Sequence, residues 1–193
     1  MRNISFSSNS LTNAALTDSA TGSLLYELTT PYGFRQNTTL LDDQKNVVGV
    51  YMPNGRNDKA TYQGHTTRVN DWLVKDAQTG CVDVAEMLTI RPLSDPWTSS
   101  SRTFVAPDGR TYKWDILSTM GMRWQLFDCQ TGGIVAGALR QPCPPVKFIN
   151  IDISRNGEPF KDAIVLTFVI CELTMRYEES LVAFAKSRSV HSR

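Results

Sequence analysis

Asp162-Ala163-Ile164-Val165-Leu166-Thr167-Phe168-Val169-Ile170-Cys171-Glu172-Leu173-Thr174-Met175-Arg176 is the stretch on which the fold turns. From Phe160 to Arg176 there is neither Gly nor Pro, while Gly157-Glu158-Pro159 stops whatever precedes it. Asp162 stands in a first-turn position, where a carboxylate meets the positive end of a helix dipole. On a helical wheel the apolar residues point in every direction, and Thr167, Glu172 and Thr174 do not gather on one polar side. A helix apolar all round has to be buried all round. The alternative is a β-branched central strand, since Ile164, Val165, Thr167, Val169 and Ile170 favour strands. An unbroken strand of that length is uncommon, so the helix is the expectation.

Working outward, the rest of the chain breaks into short segments separated by turn chemistry. Strands are expected over 24–29, 34–41, 46–52, 66–75, 81–90, 102–106, 110–116, 122–127, 134–140 and 146–153, with separators such as Pro53-Asn54-Gly55, Pro107-Asp108-Gly109 and Asp128-Cys129-Gln130-Thr131-Gly132-Gly133. About ten short strands joined by hairpin-length turns make an antiparallel sandwich or barrel. With one buried helix to house, the simplest arrangement is a sheet wrapped around it. Residues 1–22, rich in Ser, Thr and Asn, read as a flexible N-terminal arm with room for a short edge strand. The barrel with its helix is expected over 23–176, and 177–193 reads as an amphipathic C-terminal tail.

The sharpest local signal is Ala106-Pro107-Asp108-Gly109-Arg110. Pro presets the first corner, Asp suits the second, and Gly supplies the left-handed residue that closes a three-residue hairpin loop. Ala106 then faces Arg110, and alternation puts Arg102, Phe104, Tyr112 and Trp114 on one face, with Thr103, Val105, Thr111 and Lys113 on the other.

These residues carry a resemblance. Tyr26-Glu27-Leu28-Thr29-Thr30, the run from Ser101 to Trp114, and Asp162-Ala163-Ile164-Val165-Leu166-Thr167 look like an uncharacterised family of small basidiomycete fungal proteins. That family is grouped with the tubby-like architecture of tubby C-terminal domains, phospholipid scramblases and LURP-one-related proteins. The middle stretch is the specific one, and the resemblance covers roughly residues 23–176. It implies a mainly β fold, an antiparallel tubby-like β-barrel enclosing a C-terminal hydrophobic α-helix. It brings no activity to transfer, and a lipid role follows only by analogy of fold.

Composition narrows the function. The 193 residues carry 20 Lys+Arg against 19 Asp+Glu, a formal net charge of +1, which gives no broad electrostatic reason to bind nucleic acid. The N-terminus shows no apolar run of signal-peptide length, so a cytoplasmic location is the expectation. No run of the chain is long enough for a transmembrane segment. Cys81, Cys129, Cys143 and Cys171 are scattered without a C-x-x-C pair and His65 and His191 are far apart, so the cysteines are expected as buried free thiols, with no metal and no cofactor. His65 is expected on a loop.

The candidate ligand-binding residues are Arg102, Tyr112, Trp114 and Glu172. Arg102 with Tyr112 and Trp114 makes either a cation–π platform for a ligand or a clamp that stitches the hairpin to its neighbour. Glu172 is either an acid with a raised pKa in an apolar helix or one half of an i,i+4 ion pair with Arg176. No Gly-x-Ser-x-Gly elbow, phosphate loop or activated Cys is present. The leading expectation is a non-enzymatic binding protein for a lipid headgroup or an apolar small molecule. The alternatives are an enzyme using a barrel-mouth carboxylate such as Glu172 or Glu27 on an apolar metabolite, and an interaction module that forms homo-oligomers through the tail, where Glu178-Glu179 lead into Leu181, Val182, Phe184, Ala185, Lys186 and Arg188.

Overall fold

The computed structural model describes residues 1–33, 36–75, 101–118, 122–140 and 149–190. These contain thirteen strands: β1 Arg2–Phe6, β2 Ala14–Asp18, β3 Leu24–Thr29, β4 Thr38–Asp42, β5 Val47–Met52, β6 Lys59–Tyr62, β7 His65–Arg68, β8 Val74–Lys75, β9 Arg102–Val105, β10 Thr111–Ser118, β11 Met122–Asp128, β12 Ile134–Arg140 and β13 Ile149–Ile153. A single helical turn, α1 Val69–Trp72, lies between β7 and β8, and the long helix α2, Lys161–Val190, ends the described chain. The strands form one antiparallel sheet in the order β7-β6-β5-β4-β3-β2-β1-β13-β12-β11-β10-β9-β8. Two meanders therefore run outward from a seam where β1 pairs with β13.

The helix is the core. Every residue from Ala163 to Glu172 is buried, as its all-round apolar pattern demands. Side chains reach it from both arms of the sheet. The Trp114 indole N–H donates to Thr167 Oγ1 at 2.9 Å, Phe6 meets Phe168 edge-on with ring centroids 6.1 Å apart, and the Tyr26 hydroxyl donates to Asp162 at 2.5 Å. Thr167 and Thr174 donate their hydroxyl protons back to Ala163 and Ile170, which satisfies both groups within the helix. Period-two alternation supplies the facing wall: Ile4 and Phe6, Tyr26 and Leu28, Trp124 and Leu126, and Ile149, Ile151 and Ile153 all point inward and are buried.

The hairpin at Pro107-Asp108-Gly109 has the expected register, with Tyr112 opposite Phe104 and Trp114 opposite Arg102, and Gly109 at φ +80°. Other expectations are corrected. The arm expected over 1–22 is two strands at the middle of the sheet, because Ile4, Phe6, Leu11 and Leu16 are apolar enough to be fully buried. The segment 66–75 is not one strand but β7, a helical turn and β8. His65 opens β7 instead of lying on a loop, and β6 had no expected counterpart. Cys171 is a buried free thiol, whereas Cys129 is disulfide-bonded. The strand expected over 81–90, Trp97, Cys81, Cys143 and His191 lie outside the described residues.

The two ends of the strand order, β7 and β8, do not pair with each other. What joins them is α1, whose Trp72 stacks on Tyr62 of β6 at 5.6 Å and meets Phe104 of β9 edge-on at 6.4 Å. Among the described residues the sheet is thus open in its hydrogen bonding, where a closed barrel was expected, and β7 at one end of the order is entirely exposed. Among the described residues no helix is long and apolar enough to cross a membrane.

Candidate functional site

Chemistry-bearing side chains collect where α2 leaves the sheet. Glu172 is the last of the continuously buried helical residues, and both of its oxygens are engaged. The Trp124 indole N–H donates to Oε2 at 2.8 Å, and Arg176 Nε donates to Oε1 at 2.8 Å. Arg176 Nη1 also donates to the Asn9 carbonyl at 2.6 Å, which ties the β1–β2 loop to the helix. A carboxylate with a charged partner one turn away and an indole donor is a held group, not a free acid.

Beside this network, Arg102 of β9 is 6% exposed. Its Nη1 donates to the Leu73 carbonyl at 3.2 Å and to Asn70 Oδ1 at 3.3 Å, so it clamps α1 to the sheet. It also lines a small recess open to solvent, with an enclosed volume of about 10 Å³, whose described lining includes Lys75, Trp124, Cys171, Thr174 and Glu178. Lys75 Nζ and Glu178 Oε1 approach to 3.6 Å at the rim, each roughly half exposed. Burial pushes the Cys171 thiol up to about 12, so it is protonated at neutral pH. Across the same end, burial and then the hydrogen bond to Asp58 hold the Tyr51 phenol well above its ordinary range; its hydroxyl donates to Asp58 Oδ2 at 2.6 Å.

The four residues singled out in the sequence do not converge. Trp114 and Glu172 belong to one chain of contacts, since the Trp114 and Trp124 rings meet at 88° with centroids 6.4 Å apart. Tyr112 lies toward the other end of the helix, its hydroxyl donating to Asp108 at 2.6 Å and its ring 4.7 Å from Phe160. Burial, followed by that bond to Asp108, pushes the Tyr112 phenol far above its usual value. Trp114 is fully buried and Tyr112 nearly so, so neither presents a ring on which a ligand could stack. The clamp is the arrangement that the Arg102 bonds describe. Glu27, the other carboxylate considered, pairs at the surface with Lys45. Among the described residues no group of three or more His, Cys, Asp or Glu is placed to hold a metal ion.

The participants missed in the sequence are Lys75, Cys171, Thr174 and Glu178 around the recess, and Asn70, which accepts from Arg102. Trp124 carried one signal: it shares the inward parity of Leu126 on β11.

Comparison with known proteins adds little chemistry. A family model described as a family of unknown function (DUF6593) matches residues 9–177. Among solved structures, the X-ray structure of a protein from Arabidopsis thaliana is similar at 14% identity over 90% of each chain, with a TM-score of 0.45. No curated protein matches.

Proposed function

This chain belongs to the family of unknown function DUF6593, and on that footing we propose that it is a non-enzymatic binding protein of tubby-like architecture, as its resemblance to the basidiomycete family implies. The observation that carries the reading is the state of Glu172. A general acid or base needs an oxygen free to meet substrate, and both oxygens here are held by Trp124 and Arg176. The space an apolar metabolite would need is filled by α2 itself, buried without interruption from Ala163 to Glu172.

Binding then belongs to the outside and the mouth, where Lys and Arg side chains meet solvent, and the ligand class we favour is an anionic lipid headgroup. The test is sedimentation with phosphatidylcholine vesicles containing phosphatidylserine, across a salt series. Weak association that falls as salt is added supports the reading, because exposed charges would carry it. Binding that ignores salt, or turnover of any substrate by the purified protein, overturns it.

A second reading has its own observation. Helix α2 continues past the sheet to Val190, and Tyr177 and Leu181, one turn apart on the same side, are each 50% exposed. That face suits self-association, and Leu181→Glu should abolish any dimer seen by light scattering.

A further inference from the structure

Arg102 poses a problem of charge. Its guanidinium is almost wholly removed from water, yet its partners are both neutral, a carboxamide oxygen and a backbone carbonyl, and both bond to the same nitrogen. Among the described residues no carboxylate pairs with it. A guanidinium carries five N–H donors in a planar fork, and among the described residues its two acceptors both meet Nη1. A buried positive charge compensated only by neutral groups is costly, and proteins retain one where something else supplies the counter-charge.

The nearby carboxylates among the described residues are already committed. Glu172 is engaged by Trp124 and Arg176, and Asp58 accepts the Tyr51 hydroxyl at 2.6 Å and the Asn54 N–H at 2.6 Å. Glu178 lies at the rim beside Lys75. Cys171 contributes a neutral thiol, and the Thr174 hydroxyl proton goes to the Ile170 carbonyl. The described lining therefore holds two cations, Lys75 and Arg102, against one anion, Glu178, an excess of one positive charge with its more buried member facing the recess.

We infer that the recess where α2 leaves the sheet is an oxyanion site, in which the Arg102 fork receives one carboxylate or phosphate group and Lys75 meets it from the rim. The planar fork suits the paired oxygens of either group. The enclosed room is about that of one water, so the group sits at the open mouth with an oxygen turned inward, and the remainder of a larger ligand lies outside. The inference goes beyond the binding-protein reading and uses it only in taking the bound group to be held, not transformed.

The test titrates the full chain with inorganic phosphate and separately with acetate, followed through the tryptophan fluorescence to which Trp124 of the lining contributes. Saturable binding is expected for either anion. Arg102→Lys, which keeps the charge and loses the fork, should weaken it by about tenfold or more. Should that variant unfold, Glu178→Gln decides: it removes a like charge from the rim at a half-exposed position and should tighten binding several-fold, an effect no merely structural role for Arg102 provides. No saturable response at tens of millimolar anion overturns the site, as does equal affinity in the wild type and the variants.

Vesicles of phosphatidylcholine with phosphatidic acid separate the two sources of the group. Vesicle binding displaced by inorganic phosphate assigns the recess to a headgroup; phosphate binding that leaves vesicle binding untouched assigns it to a small free acid. Vesicle binding that survives unchanged in Arg102→Lys without any phosphate response overturns the site alone, while phosphate binding without vesicle binding overturns the lipid reading alone.

Discussion

Gly49 of β5 lies tight against the helix, and it yields a sharp test of their packing. A Cβ built on Gly49 would sit 2.4 Å from Cδ2 of Leu166 and 3.0 Å from the Thr61 carbonyl oxygen on the neighbouring strand. Leu166 is buried on α2 and cannot swing into solvent, and the Thr61 oxygen is backbone. Gly49→Ala should therefore overpack the core at a cost of about 1–3 kcal/mol, reduced by the ~0.4–1 kcal/mol that Ala recovers by restricting the unfolded chain. Leu166→Ala alone should cost about 2–5 kcal/mol through lost burial and the cavity it leaves. The double variant is the decisive measurement, because without the Leu166 methyls the new Cβ has room. Its destabilisation should fall short of the sum of the single effects by roughly 1 kcal/mol or more, a coupling expected only of residues in contact. Urea unfolding followed by tryptophan fluorescence gives all three values. A neutral Gly49→Ala, or strictly additive effects, would refute the close approach of β5 to α2.

Three further outcomes are expected. Val169→Asp places a charge at a position 1% exposed in the middle of α2 and should cost several kcal/mol; near-normal thermal unfolding would contradict the enclosed helix. Gly109 has φ +80° and nothing near its missing Cβ, so Gly109→Val should cost about 1–3 kcal/mol through backbone strain alone, and Gly109→Asn clearly less; equal effects in chemical denaturation would count against the hairpin geometry. For Asp128, burial favours protonation, but hydrogen bonds from the Gln130 and Thr131 N–H groups, the Thr131 hydroxyl and Arg110 outweigh it and hold the carboxyl below its ordinary value. A depressed folded-state pKa stabilises the protein above the unfolded value near pH ~3.9 and that contribution disappears as pH falls through the folded one. Asp128→Asn should then be less stable than wild type at neutral pH by a margin that narrows in acid, and a pH-independent gap in urea midpoints would refute this.

How legible a feature was in the sequence depended on how far away its physical cause lies along the chain. The buried helix announces itself because its apolar residues surround one axis, and the hairpin because Pro107, Asp108 and Gly109 each meet a backbone requirement within one turn. The place of β1 does not announce itself. Its partner β13 lies some 150 positions away, where Asn3 pairs with Asp152 and donates to its carboxylate at 2.6 Å, and the polar Ser and Asn residues that suggested an arm are the outward members of a strand whose Ile4 and Phe6 face the core. The short α1 hides for another reason: four residues are too few to show a helical period. The candidate site divides along the same line. The pair Glu172 and Arg176 is local and was readable from its spacing, whereas the neutral partners of Arg102 lie 29 and 32 positions away. Yet the place of the site had a mark of its own. From Ile170 to Glu178 the helix passes from residues that need a sheet around them to residues that need water or a counter-charge, and the positions between, Cys171 to Arg176, must serve both. A helix that is core along one stretch and solvated along the next has to cross a boundary, and at that crossing buried charge is both costly to keep and within reach of a ligand.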